Sequence, residues 1–421
     1  MPPCPLQDPD GRRLMDKKVL FAQALAAAIR GGRVNWDGEC GQQEWKELFH
    51  LAQQHHVVSL ILEAVYACPD FCCAEQSLWK REAMLRSAGQ TARSAAFEEI
   101  YGALLRAGLQ PVVMKGIVCR RLYPNPDHRI SADEDLLLPM DQFSQAVTLL
   151  EEFDWKKLDL QASVDQDYEI GMVSPQGLLL ELHKTLFSPD GAAVESCNLF
   201  FDRVHENAVP VDSFLTMCPH DHMLYLLLHA YKHMIHSGFG LRQVCDILLW
   251  AERYGVDIDW NGLWEQCSRV RCLKFAQTVF AVAREYLGFD PEKAKMGSLP
   301  ENLPCRELMD DLLQAGAFGT ATGSRVHSAT ITLQAVEADR SGKKTTLLRS
   351  LFPKREDLQG RYTYLRNHAW LLPLAWGCRL AGYAWENVFD GKDNSPVESV
   401  KLGESRKALL QKLDIMDERT P

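Results

Sequence analysis

The chain lacks any apolar run of the roughly 18 residues that a membrane span requires. Its best candidate, residues 371–385, is broken by Pro373 and Arg379. It also lacks a basic surplus, since 46 lysines and arginines face 56 aspartates and glutamates, a net charge of −10. A polynucleotide-binding surface needs the opposite sign, so DNA or RNA is not the expected partner. Disulfide and zinc spacings are missing from the 13 cysteines. Cys68, Cys72 and Cys73 cluster, but no second pair follows at a zinc-finger distance. Reduced, mostly buried thiols are the expectation. Lys17 and Lys18 precede a small-residue segment at 19–29, a faint leader-like pattern. Asp8, Asp10 and Asp16 ahead of it and Gln23 within it argue instead for an amphipathic helix in a cytoplasmic protein.

What is present suits a globular protein. Apolar residues make up 46% of the chain and charged residues 24%, which argues against wholesale disorder. Residues 1–15 are rich in Pro and Asp and should fray, whereas 16–95 carry helical periodicity, as in Leu20, Leu25 and Ile29. The texture changes near 96. A helix at 96–107 ends at Gly108, and a short apolar strand follows at 111–114. After Lys115-Gly116 come a helix-like stretch to Tyr123, a turn at Asn125-Pro126 and a strand at 130–138 stopped by Pro139. Asp141 should cap a helix running to about 153. Segments 168–173 and 178–186 flank Ser174-Pro175-Gln176-Gly177 and read as a hairpin. Beyond 210 the pattern is helical again, at 222–235, 241–254, 263–267 and 275–287. A loop-rich stretch at 319–346 precedes apolar helix at 347–352 and 362–388. The expected fold class is α+β: an N-terminal helical region (1–95), a small mixed α/β sheet unit (96–210) and a C-terminal helical domain (211–421).

The chemistry gathers on acids placed in apolar strands. Asp-x-Asp triplets occur at 8/10, 133/135, 165/167 and 257/259, but only Asp133-Glu134-Asp135 leads into an apolar run, Leu136-Leu137-Leu138. Strand alternation puts Asp133 and Asp135 on one face about 7 Å apart. Two such carboxylates cannot both be buried as ions without a cation between them. Mg²⁺ or Mn²⁺ would answer that need. Glu181 stands in the apolar run Leu178-Leu179-Leu180-Glu181-Leu182-His183 and shares a face with His183. Its alternatives to a metal are Arg120, Arg121 and Arg129. Lys115-Gly116 follows a strand and opens a helix, a place where backbone and ammonium can approach a phosphate, though a plain turn has the same look. His229 and His233 are helical i,i+4 neighbours. With Asp246 they could bind zinc, line a cleft, or be core histidines hydrogen-bonded to Asp246. No His-Glu-x-x-His is present, so the base of a zinc protease is missing.

The order strand, Lys-Gly, helix, Asp-x-Asp strand, Glu strand resembles the nucleotidyltransferase core of the DNA polymerase β superfamily. It is more closely similar to the bacterial family of uncharacterised nucleotidyltransferases. The matching elements are Val113-Met114-Lys115-Gly116, Tyr123-Pro124-Asn125-Pro126, Arg129, Asp133-Glu134-Asp135 and Leu180-Glu181-Leu182-His183. The helix with His229, His233 and Asp246, and the tail segments Leu351-Phe352-Pro353 and Leu371-Leu372-Pro373, also fit. The resemblance implies two-metal, Mg²⁺-dependent transfer from a nucleoside triphosphate, ATP first among them. Asp133 and Asp135 would hold the ion at the triphosphate, and Glu181 would join them at a second ion. Lys115 and Gly116 would hold phosphate, and Arg129 would neutralise the leaving pyrophosphate. His183, His229, His233 and Asp246 would line the cleft. The acidic balance favours a small-molecule, peptide or protein acceptor. The competing reading is a catalytically silent member that keeps the fold as a binding or scaffold protein. Glu134 stands where a hydrophobic residue is expected, which implies that its face of the sheet is partly open.

Overall fold

Among the described residues seven short strands pair into one mixed sheet. The computed structural model describes residues 17–36, 40–69, 71, 76–189, 195–236, 238–317, 336, 368–378 and 396–417. The readings made for 1–15, for Cys72 and Cys73, for 347–352 and for the loop-rich stretch apart from Val336 lie outside these residues. So does the 362–388 helix except at 368–378.

The strands are β1 (Val112–Val113), β2 (Asp133–Leu137), β3 (Lys156–Lys157), β4 (Glu169–Val173), β5 (Leu179–His183), β6 (Val209–Val211) and β7 (Phe214–Thr216). Their order in the sheet is β3-β4-β5-β2-β1-β7-β6. β4 and β5 form the expected hairpin, Val173 opposite Leu179. Its turn is closed by the Ser174 hydroxyl, which accepts from the amides of Gln176 and Leu178. β2 and β5 run parallel, placing Asp135 beside Glu181 and Leu137 beside His183. The helices are α1 (Lys17–Ala28), α2 (Gln42–Gln54), α3 (Val58–Val65), α4 (Gln76–Arg106), α5 (Ile117–Arg120) and α6 (Phe143–Glu152). They continue as α7 (Pro219–His236), α8 (Leu241–Tyr254), α9 (Trp260–Arg269), α10 (Leu273–Leu287), α11 (Cys305–Ala315) and α12 (Pro396–Lys412).

One hydrophobic core joins the N-terminal helices, the sheet and the C-terminal helices, from Leu20 to Met416. α1 is a folded helix that buries Leu20, Phe21, Ala24 and Leu25. Leu20, Phe21 and Leu25 each contribute about 1.5–3 kcal/mol on burial. Continuous helix in α4 crosses position 95 and ends at Gly108, whose positive φ of 80° closes the last turn. The sheet runs past 210, because β7 pairs in parallel with β1. Among the described residues no helix is long and apolar enough to cross a membrane.

Two local expectations are corrected. Asp141 does not cap α6. The Gln142 amide donates to the Pro139 carbonyl in a tight turn, and the helix opens at Phe143 with no side-chain cap. The face of Glu134 is also closed. Glu134 is 1% exposed and pairs at 2.6 Å with Arg120, equally buried. Arg120 comes from α5 and also donates to the Ser131 hydroxyl. The charge is accommodated inside the core by a partner 14 positions earlier.

Two core histidines contribute to the acid sensitivity of this fold. His55 is fully buried, its Nε2 lying 3.3 Å from the Leu313 carbonyl, and burial pushes its pKa down to about 4. His222 is equally buried beside the Thr216 hydroxyl, and burial pushes it down to about 3. Both are neutral when folded but take up protons near pH 6.5 when unfolded. The unfolded state thus binds more protons below about pH 6.5, and stability falls as pH drops from there toward 4. The melting temperature should decline between pH 7 and 5, and His55→Gln, which cannot titrate, should lessen that slope. An equal slope in the variant would contradict this origin.

Candidate active site

Period-two alternation sends Asp133 and Asp135 of β2, and Glu181 and His183 of β5, to one face of the sheet. The intervening Leu136, Leu180 and Leu182 are fully buried on the other. Ligand-capable atoms of Asp135, Glu181 and His183 all lie within 4.8 Å of one another. Asp135 is 1% exposed, and its Oδ2 is buried with no hydrogen-bond partner. His183 Nε2 lies 3.5 Å from Asp135 Oδ1 and 3.6 Å from Glu181 Oε2, while Nδ1 lies 3.6 Å from Glu169. Burial alone would lower the His183 pKa, but Asp135 and Glu181 outweigh it and raise it to about 9.

The cation demanded by Asp133 and Asp135 is supplied by the chain itself. The Lys115 ammonium stands 3.2 Å from Asp135 Oδ1 and 3.8 Å from Asp133 Oδ2. Burial would depress its pKa, but the two carboxylates lift it well above the ordinary lysine value. Asp135 responds in kind: burial would raise it, but Lys115 and His183 hold it down at about 2. None of the arginines weighed as partners for Glu181 reaches it. Arg120 meets Glu134, Arg121 meets Asp212 and Glu98, and Arg129 meets Asp246. Asp133 is not one of the converging trio; its side chain is 26% exposed at the rim of the neighbouring cavity. His183 enters the trio instead. The signal for it was its two-residue spacing from Glu181 in an apolar strand.

The Lys115-Gly116 turn is fixed from below. Gly116 has φ +54° and ψ −117°, and a Cβ there would come within 1.9 Å of Glu134 Oε2. That oxygen accepts the Ile117 amide at 2.8 Å. The first free amide of α5 is therefore engaged by Glu134 rather than left for a phosphate, and the turn aims Lys115 at the acids.

Beside Lys115 a cavity opens between the sheet and α7–α8, with Gly116, Arg129, Asp133, His229 and Asp246 on its walls. Arg129 donates to Asp246 through Nε at 3.1 Å and a terminal nitrogen at 2.5 Å, and Tyr123 donates to the same carboxylate at 2.8 Å. Asp246 thus serves Arg129 and Tyr123, and the expected histidine–Asp246 hydrogen bond is not found among the described residues. Its partners arrive from the Tyr123 and Arg129 loops, which pack under α8. The histidines pair elsewhere: Lys115 donates to His229 Nε2 at 3.2 Å, and His233 Nε2 is 3.3 Å from that same atom. Burial, reinforced by Lys115, pushes His229 well below the usual histidine value and His233 to about 3. Both are neutral rings beside a cation.

A family model described as uncharacterised nucleotidyltransferase matches residues 41–288, more than half of the chain. Neither a curated protein nor a solved structure matches the chain.

Gly116 gives the site's local geometry a direct test. Gly116→Ala forces a methyl group against Glu134 and a side chain into a left-handed backbone, a strain of about 1–3 kcal/mol. The melting temperature should fall accordingly. An unchanged melting temperature would contradict the close approach of Glu134 to this turn.

Proposed function

The chain belongs to the uncharacterised nucleotidyltransferase family, and we propose that it moves a nucleoside monophosphate from a nucleoside triphosphate, ATP first among them, to a hydroxyl or similar group of a non-polymer acceptor. That acceptor is a small molecule, a peptide or a protein, in keeping with the net charge of −10. The observation that carries the reading is the convergence of Asp135, Glu181 and His183 beside Lys115. The buried Asp135 Oδ2, without a hydrogen-bond partner, a Glu181 oxygen and one ring nitrogen of His183 form a donor set suited to a divalent ion. Such an ion, Mg²⁺ or Mn²⁺, would supply neutralisation of phosphate charge and a lowered pKa for the attacking hydroxyl. His183 adds a nitrogen to two carboxylates, a set that suits Mn²⁺ at least as well as Mg²⁺.

Each residue then has a task. In the two-ion form of this reading, Asp133 and Asp135 would hold one ion, and Glu181 would join them in holding the second. Lys115, already touching Asp135 and lining the cavity, moves its ammonium from the acids to phosphate, trading one anionic partner for another. Gly116 contributes to the cavity wall, and its missing side chain makes room for Glu134 beneath the turn. Arg129, held by Asp246, faces the same space. His229 and His233 remain neutral and leave the positive charge to Lys115.

One observation favours the silent alternative. Lys115 and His183 already neutralise the acids, so the fold stands without an ion and could serve as a binding or scaffold unit. Thermal shift separates the two. ATP together with Mn²⁺ or Mg²⁺ should stabilise the protein by more than the ion alone and ATP alone together do. Asp135→Asn should abolish that gain while the variant remains folded. Lys115→Ala should weaken ATP binding about ten- to hundredfold, the loss of one charged hydrogen bond. No gain with any triphosphate and ion would favour the scaffold.

A further inference from the structure

The long helix α4 has two apolar faces, and the fold uses one of them. Its inner face buries Trp79, Ala83, Phe97, Ile100 and Leu104. Gln90 lies on that face and accepts the Ser131 amide just ahead of β2. On the outer face Leu78, Leu85, Ala88, Ala92 and Ala95 are exposed, with Arg81 and Glu99 completing the row. These positions step along the helix by three and four residues in turn, the repeat of a helix–helix seam. Leu78 is 50% exposed and Leu85 63%, and Met84 beside them is 69% exposed. Single exposed apolar side chains are ordinary, but a repeating row of them along one helix marks a contact surface.

The charges on this face select its occupant. Arg86 pairs with Glu82 and Glu98 with Arg121, whereas Arg81 and Glu99 have no ion-pair partner among the described residues. Arg81 stands toward one end of the row and Glu99 at the other. A second copy of the helix, laid antiparallel about a two-fold axis level with Gln90, sets Arg81 against the partner's Glu99 and Glu99 against the partner's Arg81. The same operation sets Leu85 against the partner's Ala95 and Ala88 against the partner's Ala92. Leu78 meets the partner's Gly102. Each leucine thus faces a small residue, and the two helix axes can approach to about 8 Å. A parallel pairing would instead oppose arginine to arginine and glutamate to glutamate, which repel. We infer that the chain forms a two-fold dimer through antiparallel α4 helices, a second copy covering the outer face from Leu78 to Glu99. That seam is about 32 Å long. The dimer stands or falls independently of nucleotidyl transfer, since the outer face of α4 includes none of the Asp135–Glu181–His183 trio.

Sedimentation velocity of the full chain, from low to high micromolar concentration, provides the test. The wild type should approach twice the 47.6 kDa of one chain as concentration rises. Leu85→Glu, at an exposed position, should sediment as a monomer and keep the wild-type melting temperature. Arg81→Glu and Glu99→Arg should each weaken association at least about tenfold, since two attractive contacts turn repulsive. Combining the two substitutions restores opposite charges across the seam and should recover the dimer, a rescue that only the antiparallel register gives. If Leu85→Glu fails to fold, the charge variants, both at exposed positions, decide the matter. A wild type that stays monomeric, a dimer untouched by Leu85→Glu, or single charge variants without rescue in the double variant overturns the inferred dimer. A monomer in which Ala92→Cys resists thiol labelling also overturns it and assigns the face to another part of the chain.

Discussion

A carboxylate buried at Asp135 must be matched by positive charge, and much of the site is the means of matching it. Lys115 stands 3.2 Å away on one side and His183 3.5 Å away on the other. A lysine reaches that spot only because the turn before it is held in an unusual backbone shape. Gly116 permits the shape, and Glu134 fixes it by accepting the Ile117 amide. Glu134 in turn is tolerable in the core only because Arg120 meets it. A buried pair with one partner removed leaves an uncompensated charge and is strongly destabilising. The two faces of β2 are thus coupled: Arg120 and Glu134 below, Lys115 and Asp135 above, with the glycine turn between.

The helices complete the arrangement. α7 sets neutral His229 against Lys115, and α8 sets Asp246 against Arg129. The neutral His229 ring accepts the ammonium's hydrogen bond without competing with the acids for charge. Because α1, the sheet and α7–α10 share one core, the distance between the acids and the far wall of the cavity is fixed by packing. A site built between rigid elements in this way is held ready rather than assembled on demand.

Legibility in the sequence followed periodicity. The alternation of Leu180, Glu181, Leu182 and His183 revealed the hairpin strand and its polar face, and the Asp133–Asp135 spacing revealed the need for a cation. The strands of two and three residues, β1 excepted, were too short to leave a periodic signal. β6 and β7 accordingly lay hidden at and just beyond the expected end of the sheet unit. Partner choice was the other gap. The pairs Arg120–Glu134, Arg129–Asp246 and Lys115–Asp135 are separated by 14, 117 and 20 positions, and no local rule selects among arginines at that range. The family description and the motif order agree on the chemistry, whereas the occupant of the space between the acids came only with the structure.

The central claim is that Asp135, Glu181 and His183 form a divalent-ion site for which Lys115 stands in when no ion is bound. Anomalous diffraction from crystals soaked in Mn²⁺ tests it most directly. The account expects a manganese peak in contact with Asp135, Glu181 and His183, with the Lys115 side chain moved away from Asp135. A peak bound elsewhere, or none at this face while Lys115 remains against Asp135, would contradict it.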